Sequence, residues 1–341
     1  LGDRGRYILY DPSFISFFLY LSSNDDLFSY FCLQQQSNPI SMKLRFIFLT
    51  VALATATVIN AQVVINIDAN ERGPEISPTH YGIFFEDINH AADGGLYAEL
   101  IRNRSFEDDS MIGRGFRRRT DSRPDPRPAS ITGWTSQGNA HISLVKDHLL
   151  NDAQGNALNV KIEQLGGQIS NEGFWGINAV KGRKYKLSFW AKSEQGYKGV
   201  FTLQLTRKNA VPVATATLKV KLDRHWKKYT AELIAEDNDP QTLFTIIPNK
   251  TGEFQLDVVS LFPPTFKDRE NGMRPDLAQM LAEMHPRFMR FPGGCFVEGQ
   301  QSSDNAFRWK RTIGPIETRP GHPNVNWGYR TSDGIGFHEM L

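Results

Sequence analysis

Two cysteines in 341 residues, Cys32 and Cys295, are too few for a disulfide framework or a multi-cysteine zinc module. An excess of one charge is missing too. The 39 basic and 37 acidic side chains leave a formal net charge of +2, so nothing marks the whole chain as a polyanion binder. No apolar run is long enough to predict a stable membrane-spanning helix. What is present is ordinary for a folded protein: 40% hydrophobic, 22% charged and 11% aromatic residues, ample for a core. The length by itself suits two or three domains.

The chain opens on Leu1, and its first methionine is Met42. Behind Met42 come Lys43 and Arg45, an apolar stretch over residues 46–59, and the small residue Ala61. This is the layout of a secretory signal, which predicts a signal peptide over 42–61 and a secreted or periplasmic protein. Residues 1–41, rich in Phe and Tyr but without sustained periodicity, then read as disordered upstream sequence foreign to the mature protein. Export without a second mature cysteine brings no intramolecular disulfide.

Alternation at residues 63–68 predicts a strand, part of an accessory β-sandwich over 62–75. The run YGIFF at 81–85 predicts a strand buried on both faces, as in parallel sheets. It ends in Glu86, Asp87, Asn89 and His90, polar residues where such a strand leaves the core. Leu96, Leu100 and Ile101 are spaced for one face of a short helix over 96–102. Six arginines and three prolines between 109 and 128 suggest a solvated linker rather than a nucleic-acid contact, since the prolines interrupt the run and no recognition fold accompanies it.

Between 131 and 262 the pattern changes to short alternating runs separated by turns. Strands are expected at 141–145, 157–162, 185–191, 200–206, 213–220, 226–234, 243–247 and 254–262, together a β-sandwich. Its aromatics are mostly core, except the Phe174–Trp175 pair beside Gly173 and Gly176, which is expected to be exposed on a sandwich face and suited to stacking on a sugar ring. Beyond Pro263 and Pro264 the α/β pattern returns. An amphipathic helix carries Leu277, Met280, Leu281 and Met284, a short buried strand spans 288–291, and a helix begins at Phe337.

On pattern alone Glu86 and Asp87 read equally well as an ordinary salt-bridged or capping pair. Longer motifs are more specific. ISPTHYGIFFEDINHAADGGLYAEL at 76–100 with RNRSFE at 102–107 resembles the first barrel strand and helix of the family 51 glycoside hydrolases, the α-L-arabinofuranosidases. RFMRFPGGCFVEG at 287–299 resembles their second strand and its loop, and RWKRTIGPIETRPGH at 308–322 and WGYRTSDGIGFHE at 327–339 continue the match. The region 131–262 is similar to the carbohydrate-binding-module-like insertion of one branch of that family.

The resemblance implies a multidomain α/β plus all-β architecture. An incomplete (β/α)8 TIM barrel, first strands only, would occupy 76–128 and 264–341, interrupted by a jelly-roll β-sandwich over 129–263. It also implies a retaining mechanism with two carboxyl groups about 5–5.5 Å apart. Neither the acid/base nor the nucleophile is expected here: both would lie beyond Leu341, so the chain would be inactive by itself. The residues expected to hold sugar are Glu86, matching the first-strand Glu that hydrogen-bonds arabinofuranose hydroxyls, Cys295 in the second-strand loop, and Trp175 on the sandwich. Trp309 and Trp327 are further candidates for walls of the site. The implied partner is an arabinose-containing polysaccharide or oligosaccharide, with no cofactor, no metal, no nucleic acid and no stable membrane insertion. The oligomeric state is left open. A non-catalytic carbohydrate-binding protein is the competing reading. A zinc hydrolase is a weaker third, because His338–Glu339 begins a His-Glu-x-x-His pattern.

Overall fold

The computed structural model describes residues 65, 67–108, 131–299 and 303–341. The upstream segment 1–41, the signal peptide and the arginine-rich run lie outside the described residues. The chain divides at Ile76, and the unit from Ser77 onward carries every sheet described below. In the first unit, Ile65 and Ile67 are exposed and stand outside any strand. Alternation gives a strand only where a neighbouring strand accepts its backbone hydrogen bonds, and the strand expected at 63–68 has none among the described residues.

A two-sheet antiparallel sandwich occupies the middle of the chain. Its strands are β2 (Trp134–Gln137), β3 (Ala140–Val145), β4 (Ala157–Ile162), β5 (Gln168–Asn171), β6 (Ile177–Ala179), β7 (Lys184–Lys192), β8 (Tyr197–Thr206), β9 (Pro212–Leu222), β10 (Lys227–Ile234), β11 (Asp239–Pro248) and β12 (Gly252–Phe262). One sheet runs β10-β7-β12-β4-β3, the other β2-β5-β11-β8-β9, with β6 pairing the start of β11. The alternation visible in the sequence sets the faces. In β7, Tyr185, Leu187, Phe189 and Ala191 point inward, while Lys184 and Lys186 point to solvent. Phe201 meets Phe189, Tyr197 and Phe254 in the core, with ring centroids 5.0–6.2 Å apart. Strands β2, β5 and β6 were not legible as alternating runs because they are only three or four residues long.

The α/β portion is much thinner. Strand β1 (Ile83–Phe84) pairs in parallel with β13 (Met289–Arg290), Ile83 opposite Met289. Parallel pairing was expected, but burial on both faces was not realised. Ile83 is buried, whereas Tyr81, Phe84, Phe288 and Met289 are exposed, because among the described residues these two strands make a sheet with no third member. Helix α1 (Pro275–Glu283) starts with a proline at its first position and Asp276 in its first turn, as helix termini favour. Ala278 is buried against Leu96, Tyr97 and Ile335, while Met280 and Met284 remain exposed.

The helix expected over 96–102 does not form. Tyr97 bridges to Met273, the Ala98 N–H donates to the Gly272 carbonyl, and the Leu100 N–H donates to the Leu261 carbonyl. Tertiary pairing with the chain leaving the sandwich thus overrides a helical spacing only three residues deep. Helices α2 (Cys295–Glu298) and α3 (Phe337–Met340) and the hairpin β14 (His322–Asn324) and β15 (Tyr329–Thr331) complete the described structure. These residues form no closed barrel.

Candidate functional site

Parallel pairing of β1 with β13 brings the polar end of one strand beside the glycine loop of the other. The pairing continues past the strands, since the Phe85 N–H donates to the Arg290 carbonyl and the Asp87 N–H to the Pro292 carbonyl. Glu86 therefore lies against residues 293–296. The Phe296 N–H donates to Glu86 Oε1 at 3.2 Å. Gly293 sits at φ 125°, and a Cβ there would fall 2.2 Å from Glu86 Cγ, so only glycine lets this loop close on the carboxylate. Cys295 opens α2 and is exposed. Two of the three sugar-holding candidates, Glu86 and Cys295, are thus brought to one loop cluster.

Residues 322–331 buttress that cluster. The Asn326 Nδ2 donates to the Cys295 carbonyl at 2.7 Å, and the Asn324 Nδ2 donates to the Asp87 carbonyl at 3.0 Å. Asp87 faces the interior. Its Oδ1 accepts from the Ala92 N–H, and the Tyr329 hydroxyl lies 2.9 Å from both that Oδ1 and the Asp87 carbonyl. Burial, reinforced by neighbouring Asp93, pushes the Asp87 carboxyl up to about 7. Asp93 accepts from the Ser332 N–H and hydroxyl, while His322 Nδ1 lies 2.9 Å from Asp333. Sequence reading found Glu86 but missed these supports, whose partners lie more than 200 residues away along the chain for Asp87 and Asp93.

Trp175 is exposed as expected (69%), but on no sheet face. It occupies the turn between β5 and β6, at φ 68° between Gly173 (φ 63°) and Gly176 (φ 99°), at one end of the sandwich. The turn is anchored at its base. Buried Asn171 accepts from the Gly173 N–H and donates its Nδ2 to the Arg102 carbonyl. At its tip, Phe174 packs onto Gly94, where a Cβ would lie 2.7 Å from the ring. The indole meets His90 edge-on at 5.7 Å, and His90 stacks on Tyr329 at 3.9 Å. Burial holds the His90 imidazole below the ordinary histidine range, favouring the neutral ring.

Trp327 is half-buried, and its indole N–H has no hydrogen-bond partner; Trp309 is exposed and packs on Phe337. Glu339, central to the zinc reading, is committed elsewhere, bonded to Arg319 Nη2 and Asn271 Nδ2, each at 2.8 Å. Among the described residues no group of three His, Cys, Asp or Glu side chains is arranged to hold a metal ion. A cleft of about 320 Å³ lies behind Phe174, lined by Tyr97, Asn178, Arg183 and Arg274, and Glu86 and Cys295 take no part in it.

Comparison with known proteins gives this loop cluster its context. Residues 280–341 match the family model of the alpha-L-arabinofuranosidase 1 domain, and residues 98–251 match a carbohydrate binding domain. An extracellular exo-alpha-L-arabinofuranosidase of Streptomyces chartreusis is 35% identical over 290 residues, covering 81% of this chain and 32% of the relative. Alpha-L-arabinofuranosidase 1 of Arabidopsis thaliana is 35% identical over 290 residues, covering 82% of this chain and 40% of the relative. The solved structure of an arabinose-bound GH51 α-L-arabinofuranosidase superposes with a TM-score of 0.65 at 32% identity, over 76% of this chain and 41% of the other. The chain is homologous to the family 51 α-L-arabinofuranosidases. It spans 32% and 40% of the length of these two curated relatives. The extracellular Streptomyces relative agrees with the exported location read from the sequence. No helix among the described residues is long and apolar enough to cross a membrane.

Proposed function

We propose that the protein is a secreted α-L-arabinofuranosidase that removes terminal arabinofuranosyl residues from plant hemicellulose or pectin by a retaining mechanism. The observation that carries this reading is the closure of the Gly293 loop onto Glu86, in a chain homologous to enzymes of that activity. Parallel β1 and β13 stand as the first two strands of a (β/α)8 barrel, interrupted by a jelly-roll sandwich over 129–263, with functional side chains at the strands' carboxyl ends. Glu86 is exposed enough to reach a sugar and keeps an acceptor oxygen free beyond the one bound to the Phe296 N–H. It holds arabinofuranose hydroxyls, with Cys295 alongside as a weaker partner.

A retaining mechanism needs one carboxylic acid to protonate the leaving oxygen and one carboxylate to attack the anomeric carbon. We assign neither role to a residue of this chain. Glu86 holds substrate, and Asp87 is turned inward onto Ala92 and Tyr329. Both catalytic groups belong to the part of the relatives' length that the chain does not span.

Binding tests the reading directly. Titrated with methyl α-L-arabinofuranoside, the chain is expected to bind, and Glu86→Gln to weaken binding about tenfold, the range of a charge-assisted hydrogen bond. The same chain is expected to release no nitrophenol from an aryl arabinofuranoside. Nitrophenol release would overturn the placement of the catalytic pair, and undiminished binding by Glu86→Gln would overturn the role of Glu86. Sugar binding that survives Glu86→Gln but not loss of the sandwich would favour the competing reading of a non-catalytic carbohydrate-binding protein.

A further inference from the structure

The inserted sandwich, read alone, would be a separate carbohydrate-binding unit with its own ligand. Three observations place its exposed tryptophan differently. The first is backbone conformation. Trp175, at φ 68°, is a bulky residue in the left-handed region, a strained state that persists where the surroundings impose it. Asn89 and His90, across the contact, are also left-handed, at φ 51° and 62°. Two strained segments from separate parts of the chain therefore meet at one point.

The second is what they meet through. Trp175 meets His90 in a T-shaped contact, and His90 is stacked on Tyr329. Tyr329 accepts the His90 N–H at 3.1 Å and holds Asp87, the residue after Glu86. The third is the reach of the segment that carries Tyr329. Asn326 in the same hairpin turn bonds the Cys295 carbonyl. The 324–329 turn thus touches the Glu86–Cys295 cluster on one flank and the His90–Trp175 ridge on the other.

The same region leaves polar atoms without partners. His90 Nδ1 and Trp327 Nε1 are both buried and make no hydrogen bond. A buried polar atom left unpaired costs free energy, and a ligand hydroxyl or a water would relieve that cost.

From this juxtaposition we infer that Trp175, with His90 and Tyr329 behind it, forms a sugar-stacking subsite continuous with the Glu86–Cys295 site. It takes a pyranose of the polysaccharide backbone that carries the arabinofuranosyl branch. The inference rests on the arabinofuranosidase reading and adds where the next sugar of the substrate lies. The exposed indole face presents a flat apolar surface to the ring's axial C–H bonds. Held by Phe174 on Gly94 and by Asn171 on the Arg102 carbonyl, the sandwich serves as one wall of a composite site.

The test is a set of titrations of the full chain with three ligands: methyl α-L-arabinofuranoside, unbranched xylotriose, and xylotriose bearing one arabinofuranosyl branch. The parent is expected to bind the branched tetrasaccharide more tightly than either part. Trp175→Ala should cut the preference for the branched ligand over the methyl arabinofuranoside about three- to tenfold, the range of an aromatic stacking contact, and Trp175→Phe should restore part of it. Glu86→Gln should instead cut the preference over unbranched xylotriose. A Trp175→Ala variant that keeps the parent's preference, while Glu86→Gln loses methyl arabinofuranoside, overturns the subsite and leaves the activity reading standing. Unbranched xylotriose bound by the parent as tightly as the branched ligand would make the sandwich an independent module and also overturn the subsite. Failure of Glu86→Gln to weaken methyl arabinofuranoside would count against the arabinofuranosidase reading itself.

Discussion

The sandwich and the α/β portion around it are held together by different physics. The sandwich has one continuous apolar core, in which Phe189, Phe201, Phe244, Phe254, Leu203 and Leu256 are fully buried. In the α/β portion the buried apolar group shrinks to Ala92, Leu96, Tyr97, Ala278 and Ile335. Much of the rest is polar: Asp87 on Tyr329, Asp93 on Ser332, His322 on Asp333, and Arg319 on Glu339 and three carbonyls. Apolar burial is nondirectional and tolerates small shifts, whereas a buried polar network works only while every partner is in place. The polar portion carries Glu86, so directional bonding is concentrated around that carboxylate.

The largest effect expected from breaking this contrast comes from the apolar side. Phe254→Ala or Phe201→Ala should cost about 3–5 kcal/mol, read as a lower denaturation midpoint for the sandwich. Next is Arg319→Ala, which removes the cation paired with Glu339 and takes the side-chain donor from the Gly314 and Asp333 carbonyls. Loss of one partner of a buried pair costs about 3–5 kcal/mol, discounted here because Glu339 keeps Asn271 and the Gly336 N–H. Hydrogen exchange should quicken at 312–340 and stay slow in β7 and β12. Equal quickening in both regions would mean that the two portions unfold as one. Limited proteolysis of the parent should likewise cut the flanks before the sandwich.

The two buried acids sharpen the contrast through pH. Burial pushes Asp257, in the sandwich, up to about 8 and Asp87 up to about 7, both above the unfolded value near 4. A carboxyl whose folded pKa is raised stabilises the fold while protonated. Its contribution is complete below pH ~4 and is lost as pH rises through 7–8. Melting temperature should therefore fall between pH 5 and 8. Asp257→Asn should flatten the fall for the sandwich, and Asp87→Asn should flatten it for the flanks. A slope unchanged in both variants would assign the pH dependence to other groups. The smallest effect is expected at Trp175, whose exposed ring should make Trp175→Ala stability-neutral within about 0.5 kcal/mol, measured by thermal melting.

Sequence legibility followed the same divide. All eight strands expected between 141 and 262 are present, because a half-buried strand of six or more residues writes its faces as alternation. The flanks were harder to read. Residues 96–102 have helical spacing but form no helix over that span, since their backbone groups find partners at Leu261, Gly272 and Met273. Residues 81–85 look like a doubly buried strand, yet mostly face solvent beside their single partner strand. Glu86 and Cys295 were picked out by motif, and the structure sets their loops side by side. Asp87, His90, Asn326 and Tyr329 carry no local signal of the roles they play.

The sandwich, the carboxylate at the end of the first parallel strand, and the glycines that let a loop close upon it can all be read from the chain. These are local properties: residue period, residue type, and freedom at positive φ. Folding sets Trp175 at the end of the sandwich against His90, and it buries Asp87 and raises its proton affinity. Those outcomes depend on residues more than 80 positions apart meeting in space. Burial and contact belong to the folded surface, and no window of sequence contains them.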